Sequence, residues 1–130
     1  MSKRWLPLAV VLLGAWTAAA NAQDGDAAAG EKVLGRCMAC HTHEVGSPGK
    51  IGPDLTGVFG RTAGTAEGFA RYSDALVASG IVWDEAALTQ WLAGPAKLVP
   101  GTKMTFRLNK PEDIANVIAY LRADVPAGTD

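Results

Sequence analysis

Cys37-Met38-Ala39-Cys40-His41 is the stretch on which the reading of this chain turns. Two thiols stand about one helical turn apart, so both can face the same side of a short helical segment. A histidine follows at once, and the chain holds no other cysteine. Several chemistries use thiols at this spacing. A disulfide would close a tiny loop, add little by the chain-entropy argument, and leave His41 unexplained. A thioredoxin-like redox pair needs a βαβ context, and no buried strand run precedes Cys37. A structural zinc needs a fourth ligand, usually from a second Cys pair, which is absent here. The remaining reading is attachment of a c-type haem, in which the thiols bond two vinyl groups along one porphyrin edge. His41 is then delivered to the iron as proximal ligand. A haem-free dithiol protein stays open as the weakest alternative.

Upstream, the first residues have the layout of a secretory signal. Lys3 and Arg4 form a short positive region, Leu6 to Trp16 is apolar, and small residues lead to Ala20-Asn21-Ala22. The apolar run is too short to span a bilayer, and the A-x-A pattern predicts cleavage between Ala22 and Gln23. An uncleaved anchor is the alternative. The expected organisation is a signal peptide over 1–22 and one domain over 23–130, located in the periplasm. Loss of Lys3 and Arg4 leaves ten basic against thirteen acidic side chains, a net charge near −3. This balance offers no general nucleic-acid footprint.

Downstream, the search is for a second iron ligand. Met38 sits inside the attachment segment and cannot reach the opposite face of the ring. Met104 stands far away in Pro100-Gly101-Thr102-Lys103-Met104-Thr105-Phe106, a turn-rich stretch able to carry a thioether across. A lone Met is more often core filler, but these neighbours favour an iron ligand. His43 is expected to be a surface side chain. Helices are predicted near 26–36, over 72–79 ending at Gly80, from an N-cap at Asp84 to Gly94-Pro95, and from a capping-box-like Asn109 with Glu112. The last carries Ile114, Val117, Ile118 and Leu121 as its buried stripe. Residues 46–68, rich in Gly and Pro, read as a long loop. No strands are expected.

With these segments in place, the chain from about Gly30 to Arg122 resembles the class I cytochromes c. The matching motifs run in the family's order: Gly30-Glu31-Lys32, Cys37-x-x-Cys40-His41, Gly52-Pro53-Asp54-Leu55, Gly57-Val58-Phe59-Gly60-Arg61, Gly68-Phe69 with Tyr72-Ser73-Asp74, Gly80-Ile81-Val82-Trp83, Pro100-Gly101-Thr102-Lys103-Met104, and Ile118-Ala119-Tyr120-Leu121. The resemblance implies an all-α fold of several helices and long loops wrapped around one covalently attached haem c. It implies His41 and Met104 as axial iron ligands, with the Pro53 carbonyl accepting from the proximal histidine. Tyr72 and Trp83 resemble residues that hydrogen-bond a propionate, and Arg61 the arginine that offsets its charge. Thr102 corresponds to the residue beside the axial Met, and Phe106 to the aromatic near the exposed haem edge. Gly30 resembles the glycine that lets the first helix cross the last.

The implied function is one-electron transport between redox complexes, without enzymatic activity. Redox proteins would dock transiently around the haem edge, near Arg36, Lys50, Lys97, Lys103, Arg107 and Lys110, and the mature chain is expected to be a monomer with no membrane span. Three positions depart from the family: Trp91 where a tyrosine is common near the Met, Leu76 for an asparagine, and Leu34 for an aromatic. Trp91 and Leu76 leave room for an alternative, a haem-based sensor or enzyme subunit with a labile Met ligand.

Overall fold

The computed structural model describes residues 24–124; the expected signal peptide and its cleavage point lie outside the described residues. Among the described residues five α-helices follow one another: α1 (Ala27–Leu34), α2 (Asp74–Ala78), α3 (Glu85–Ala93), α4 (Pro95–Leu98) and α5 (Pro111–Ala123), with a 3₁₀ turn at Cys37–Ala39 soon after α1. The described residues contain no strand, only an isolated antiparallel bridge between Thr62 and Val82.

Local chemistry sets most boundaries. Asp26 starts α1, its carboxylate accepting from the N–H groups of Ala28 and Ala29. Its own N–H donates to Oδ1 of Asn116 at 2.7 Å, which ties the start of α1 to the middle of α5. Asp84 caps α3 through the Ala87 N–H, as its position before the apolar pattern predicts. Ser73 caps α2, so that helix begins at Asp74, two residues later than the expected start at Tyr72.

Two expectations are corrected. Asn109 does not cap α5. Lys110 is the N-cap, with no side-chain cap bond, at φ −101° and ψ 119°. The cause is Pro111, whose ring bars the residue before it from helical geometry. The second correction is α4. Gly94-Pro95 does end α3, but Pro95 is also the first residue of a new short helix, where its missing N–H costs nothing.

The core is made where α1 crosses α5 and α3 packs beside them. Ile114, Val117, Ile118 and Leu121 are buried as a continuous stripe, facing Val33 and Leu34 of α1 and Leu88, Trp91 and Leu92 of α3. The crossing depends on Gly30. A Cβ there would lie 2.0 Å from the Asn116 carbonyl oxygen and 2.9 Å from the Tyr120 Cβ. The helices can approach this closely only because Gly30 has no side chain. Cys37, Met38, Leu55, Phe59, Tyr72 and Met104 lie partly buried along the margin of the same core.

Candidate functional site

His41 is the best-determined side chain of the site. The chain passes from α1 through the 3₁₀ turn, and the His41 N–H bonds back to the Cys37 carbonyl at 2.9 Å. The loop that follows then returns alongside. Gly52 N–H donates to the Cys40 carbonyl at 2.7 Å and Leu55 N–H to the Thr42 carbonyl at 2.9 Å. This places the Pro53 carbonyl 2.7 Å from Nδ1 of His41. A carbonyl can only accept, so Nδ1 carries the proton and Nε2 presents a lone pair. Burial pushes the His41 pKa down, partly offset by the Pro53 bond and the nearby Asp54 charge. The ring is therefore held neutral and aimed, as a metal-binding imidazole must be.

Gly52 completes this cradle. A Cβ at that position would sit 2.4 to 2.9 Å from the His41 ring atoms. Cys37 and Cys40 flank the site, half-buried and not joined to each other. Burial raises the Cys37 thiol pKa, with the Arg36 charge working against it. That is opposite to the lowered pKa of a reactive redox thiol, which weakens the dithiol alternative.

Of the residues expected near the propionates, Arg61 and Trp83 are brought together although they are far apart in sequence. Trp83 N–H donates to the Arg61 carbonyl at 2.9 Å and Gly60 N–H to the Trp83 carbonyl at 2.8 Å, so the Arg61 loop and Trp83 form one paired ribbon. Arg61 places its two terminal nitrogens on the carbonyls of Thr56 and Asp54, at 3.2 and 3.1 Å. Its Nε is buried with no partner. Tyr72 accepts the Ala66 N–H at 3.0 Å through its hydroxyl oxygen, leaving the hydroxyl proton to give elsewhere. A buried guanidinium nitrogen without an acceptor and a tyrosine with a proton to give fit an anionic group such as a propionate.

Met104 lies partly buried against the core in the loop after α4. Gly101, at φ 93°, makes the turn. Met104 N–H points at Thr102 Oγ1, 3.4 Å away, and Lys103 Nζ reaches the carbonyls of Arg71 and Tyr72 at 3.3 and 3.4 Å. The Met loop is thereby fastened to the Tyr72 segment. Phe106 is 42% exposed. Trp91 and Leu76 are both buried, Trp91 with its ring 5.0 Å from that of Trp83.

Sequence reasoning misplaced one residue and overlooked another. His43 is not a free surface side chain: its Nε2 lies 2.8 Å from Oδ2 of Asp124 at the end of α5, and its ring packs 5.7 Å from that of Tyr120. Asp54 was quoted as part of a motif but given no role. The residue is 8% exposed, and its carboxylate accepts from Thr42 Oγ1 at 2.6 Å, Glu44 N–H at 2.9 Å and Thr56 N–H at 2.8 Å. The sequence carried no clear signal for it, because Thr42 stands twelve residues upstream of Asp54 and only Thr56 is a near neighbour. Of the basic residues, Arg36 is paired with Asp113 at 2.7 Å, which compensates its charge.

A helical shell carrying a histidine aimed by a backbone carbonyl, two adjacent thiols and a partly buried methionine fits a small haem protein. The family model for cytochrome c matches residues 27–123, and the chain belongs to that family. It is 44% identical over 120 residues to cytochrome c2 of Blastochloris viridis, covering 92% of each chain. It is 51% identical over 91 residues to cytochrome c2 iso-2 of Magnetospirillum fulvum, covering 69% of this chain and 93% of that one. Among solved structures, cytochrome cH from Methylobacterium extorquens superposes with a TM-score of 0.69 at 51% identity, covering 76% of this chain and 99% of the other. Cytochrome c2 from Rhodospirillum centenum gives 0.73 at 34% identity, covering 78% and 100%. Membership brings a covalently bound haem c with its iron, an electron-carrier function and redox proteins as partners.

Proposed function

We propose that this protein is an exported, periplasmic carrier that moves single electrons through a haem attached at Cys37 and Cys40, with His41 and Met104 as its axial ligands. The observation that carries the reading is the bond from His41 Nδ1 to the Pro53 carbonyl, which leaves Nε2 free for iron. Bound haem supplies the Fe(III)/Fe(II) couple. The protein residues hold and tune it. With His41 and Met104 both held by the iron, no ligand position would remain open to substrate, and a thioether ligand would favour the ferrous state. Arg61, Tyr72 and Trp83 hold the propionates, Thr102 supports the Met104 loop, and Phe106 borders the exposed edge.

Partners dock at that edge as transient complexes with a monomer. Lys50, Lys97, Lys103, Arg107 and Lys110 supply the positive charge there. Arg71 joins them through its bond to the Lys50 carbonyl, whereas Arg36 is spent on Asp113. Such a local basic group on a slightly acidic chain steers it toward acidic partners. No helix among the described residues is long and apolar enough to cross a membrane.

The test is the visible spectrum of the holoprotein purified from a periplasm competent in haem attachment. The expected result is a sharp low-spin c-type spectrum with a weak far-red band that disappears in Met104→Ala. A high-spin spectrum, or ready binding of carbon monoxide by the reduced protein, would replace the carrier with the sensor or enzyme reading.

A further inference from the structure

We propose that the buried carboxylate of Asp54 is a positioning charge behind the proximal histidine, holding the reduction potential below the value His41 and Met104 would set alone. This inference rests on His41 being an iron ligand. The step concerned is the gain of one electron from a donor protein by ferric iron, with no bond made or broken.

Asp54 is the residue whose peptide contains the Pro53 carbonyl, and that carbonyl fixes His41 at 2.7 Å. Its carboxylate is enclosed by three donors from the two strands of chain that clasp the histidine. The donors form an ordered chain. Thr42 has a single hydroxyl proton, and a carboxylate can only accept, so that proton goes to Asp54 Oδ2. Ser47, 2.9 Å from Thr42 Oγ1, must therefore donate to Thr42 and receives the Gly49 N–H at 3.2 Å in turn. The Glu44 and Thr56 N–H groups can only donate and both meet the carboxylate, an arrangement that suits an anion.

No cation neutralises it directly. Arg61 bonds the main-chain oxygens of Asp54 and Thr56, not the carboxylate, and the ion pairs among the described residues do not include Asp54. A buried negative charge acts over several ångströms with little screening. Beside the proximal ligand it stabilises ferric over ferrous iron. An asparagine would fill the same space without the charge, with its amide nitrogen set against one of the donors that the carboxylate oxygens accept.

The experiment compares midpoint potentials of the wild-type, Asp54→Asn and Thr42→Val holoproteins. Asp54→Asn is expected to shift the reduction equilibrium about tenfold toward ferrous iron, which is about 59 mV upward for one electron. Thr42→Val keeps the charge but removes a donor that disperses it, and is expected to move the potential downward. Loosening of the loop would admit water and lower the potential in both variants. The opposite signs therefore separate charge from packing. An unchanged or lowered potential in Asp54→Asn overturns the proposal. Where that variant fails to accumulate with haem, Asp54→Ser, which also removes the charge, decides: a rise supports the proposal, because loosening alone would lower the potential, and no change or a fall overturns it. A wild-type protein lacking the low-spin spectrum with its far-red band would instead defeat the ligand assignment beneath it.

Discussion

Burial would push the Asp54 carboxyl up from its ordinary value, but bonds from Thr42, Thr56 and Glu44 outweigh that and hold it below. A depressed folded-state pKa means the native state binds its proton later than the unfolded chain does as pH falls. The stabilisation is therefore complete above the ordinary Asp range, about pH 5 upward, and is lost as pH falls through that range toward the lowered folded value. The urea midpoint of the ferric holoprotein should drop more steeply in acid for wild type than for Asp54→Asn. Parallel acid limbs would refute it. Gly52 offers a second test at this scale. Gly52→Ala places a methyl group on the His41 ring and is expected to tilt or displace the imidazole. The low-spin spectrum should weaken while the covalent haem remains. Cys37, Cys40 and His41 were legible from five consecutive residues. Asp54 was not, because its donors come from separate parts of the two segments and meet only once the loop has closed.

Among the elements, the crossing of α1 and α5 is the contact on which the scaffold depends most. Gly30→Ala gains about 1 kcal/mol of helix propensity. Against this, the added Cβ meets the Asn116 backbone at 2.0 Å, and backbone cannot rotate aside. Overpacking of this kind costs typically about 1–3 kcal/mol, sometimes more, so steric cost wins and the denaturation midpoint should fall. Asp84→Ala is expected to cost about 1 kcal/mol by removing the α3 cap and to leave the absorption spectrum unchanged. The stripe of α5 and the Asp84 cap were visible in the sequence because each depends on near neighbours in the chain. The start of α5 was misplaced at Asn109, where the restraint of Pro111 on Lys110 outweighed a capping-box pattern. The start of α4 was missed because Pro95 signalled an end more strongly than a beginning.

At the scale of the whole molecule, the helices are short and long loops connect them. The core along α1, α3 and α5 is small for the length of chain it must order. Residues meant to surround the haem lie along its margin and are only partly buried. Without haem they lose their partner, so the haem-free chain is expected to be largely unfolded. Near-native helical circular dichroism in apoprotein would contradict that. The distribution of charge belongs to this scale as well. Oxidation by an acidic redox partner should slow as ionic strength rises, because salt screens exposed charges beyond roughly 8–10 Å; a rate insensitive to salt would remove the basic docking surface.

The sequence by itself determined the attachment motif, the candidate distal methionine, the helical class and the family, because each is carried by neighbouring residues or by an ordered series of short motifs. Only the tertiary structure decided that Arg61 and Trp83 pair across a ribbon, that His43 is pinned to Asp124, and that the Asp54 carboxylate gathers donors from Thr42, Glu44 and Thr56. Those arrangements join positions widely separated along the chain. Their distances follow from how closely loops and helices pack, a property that no local pattern of residues encodes.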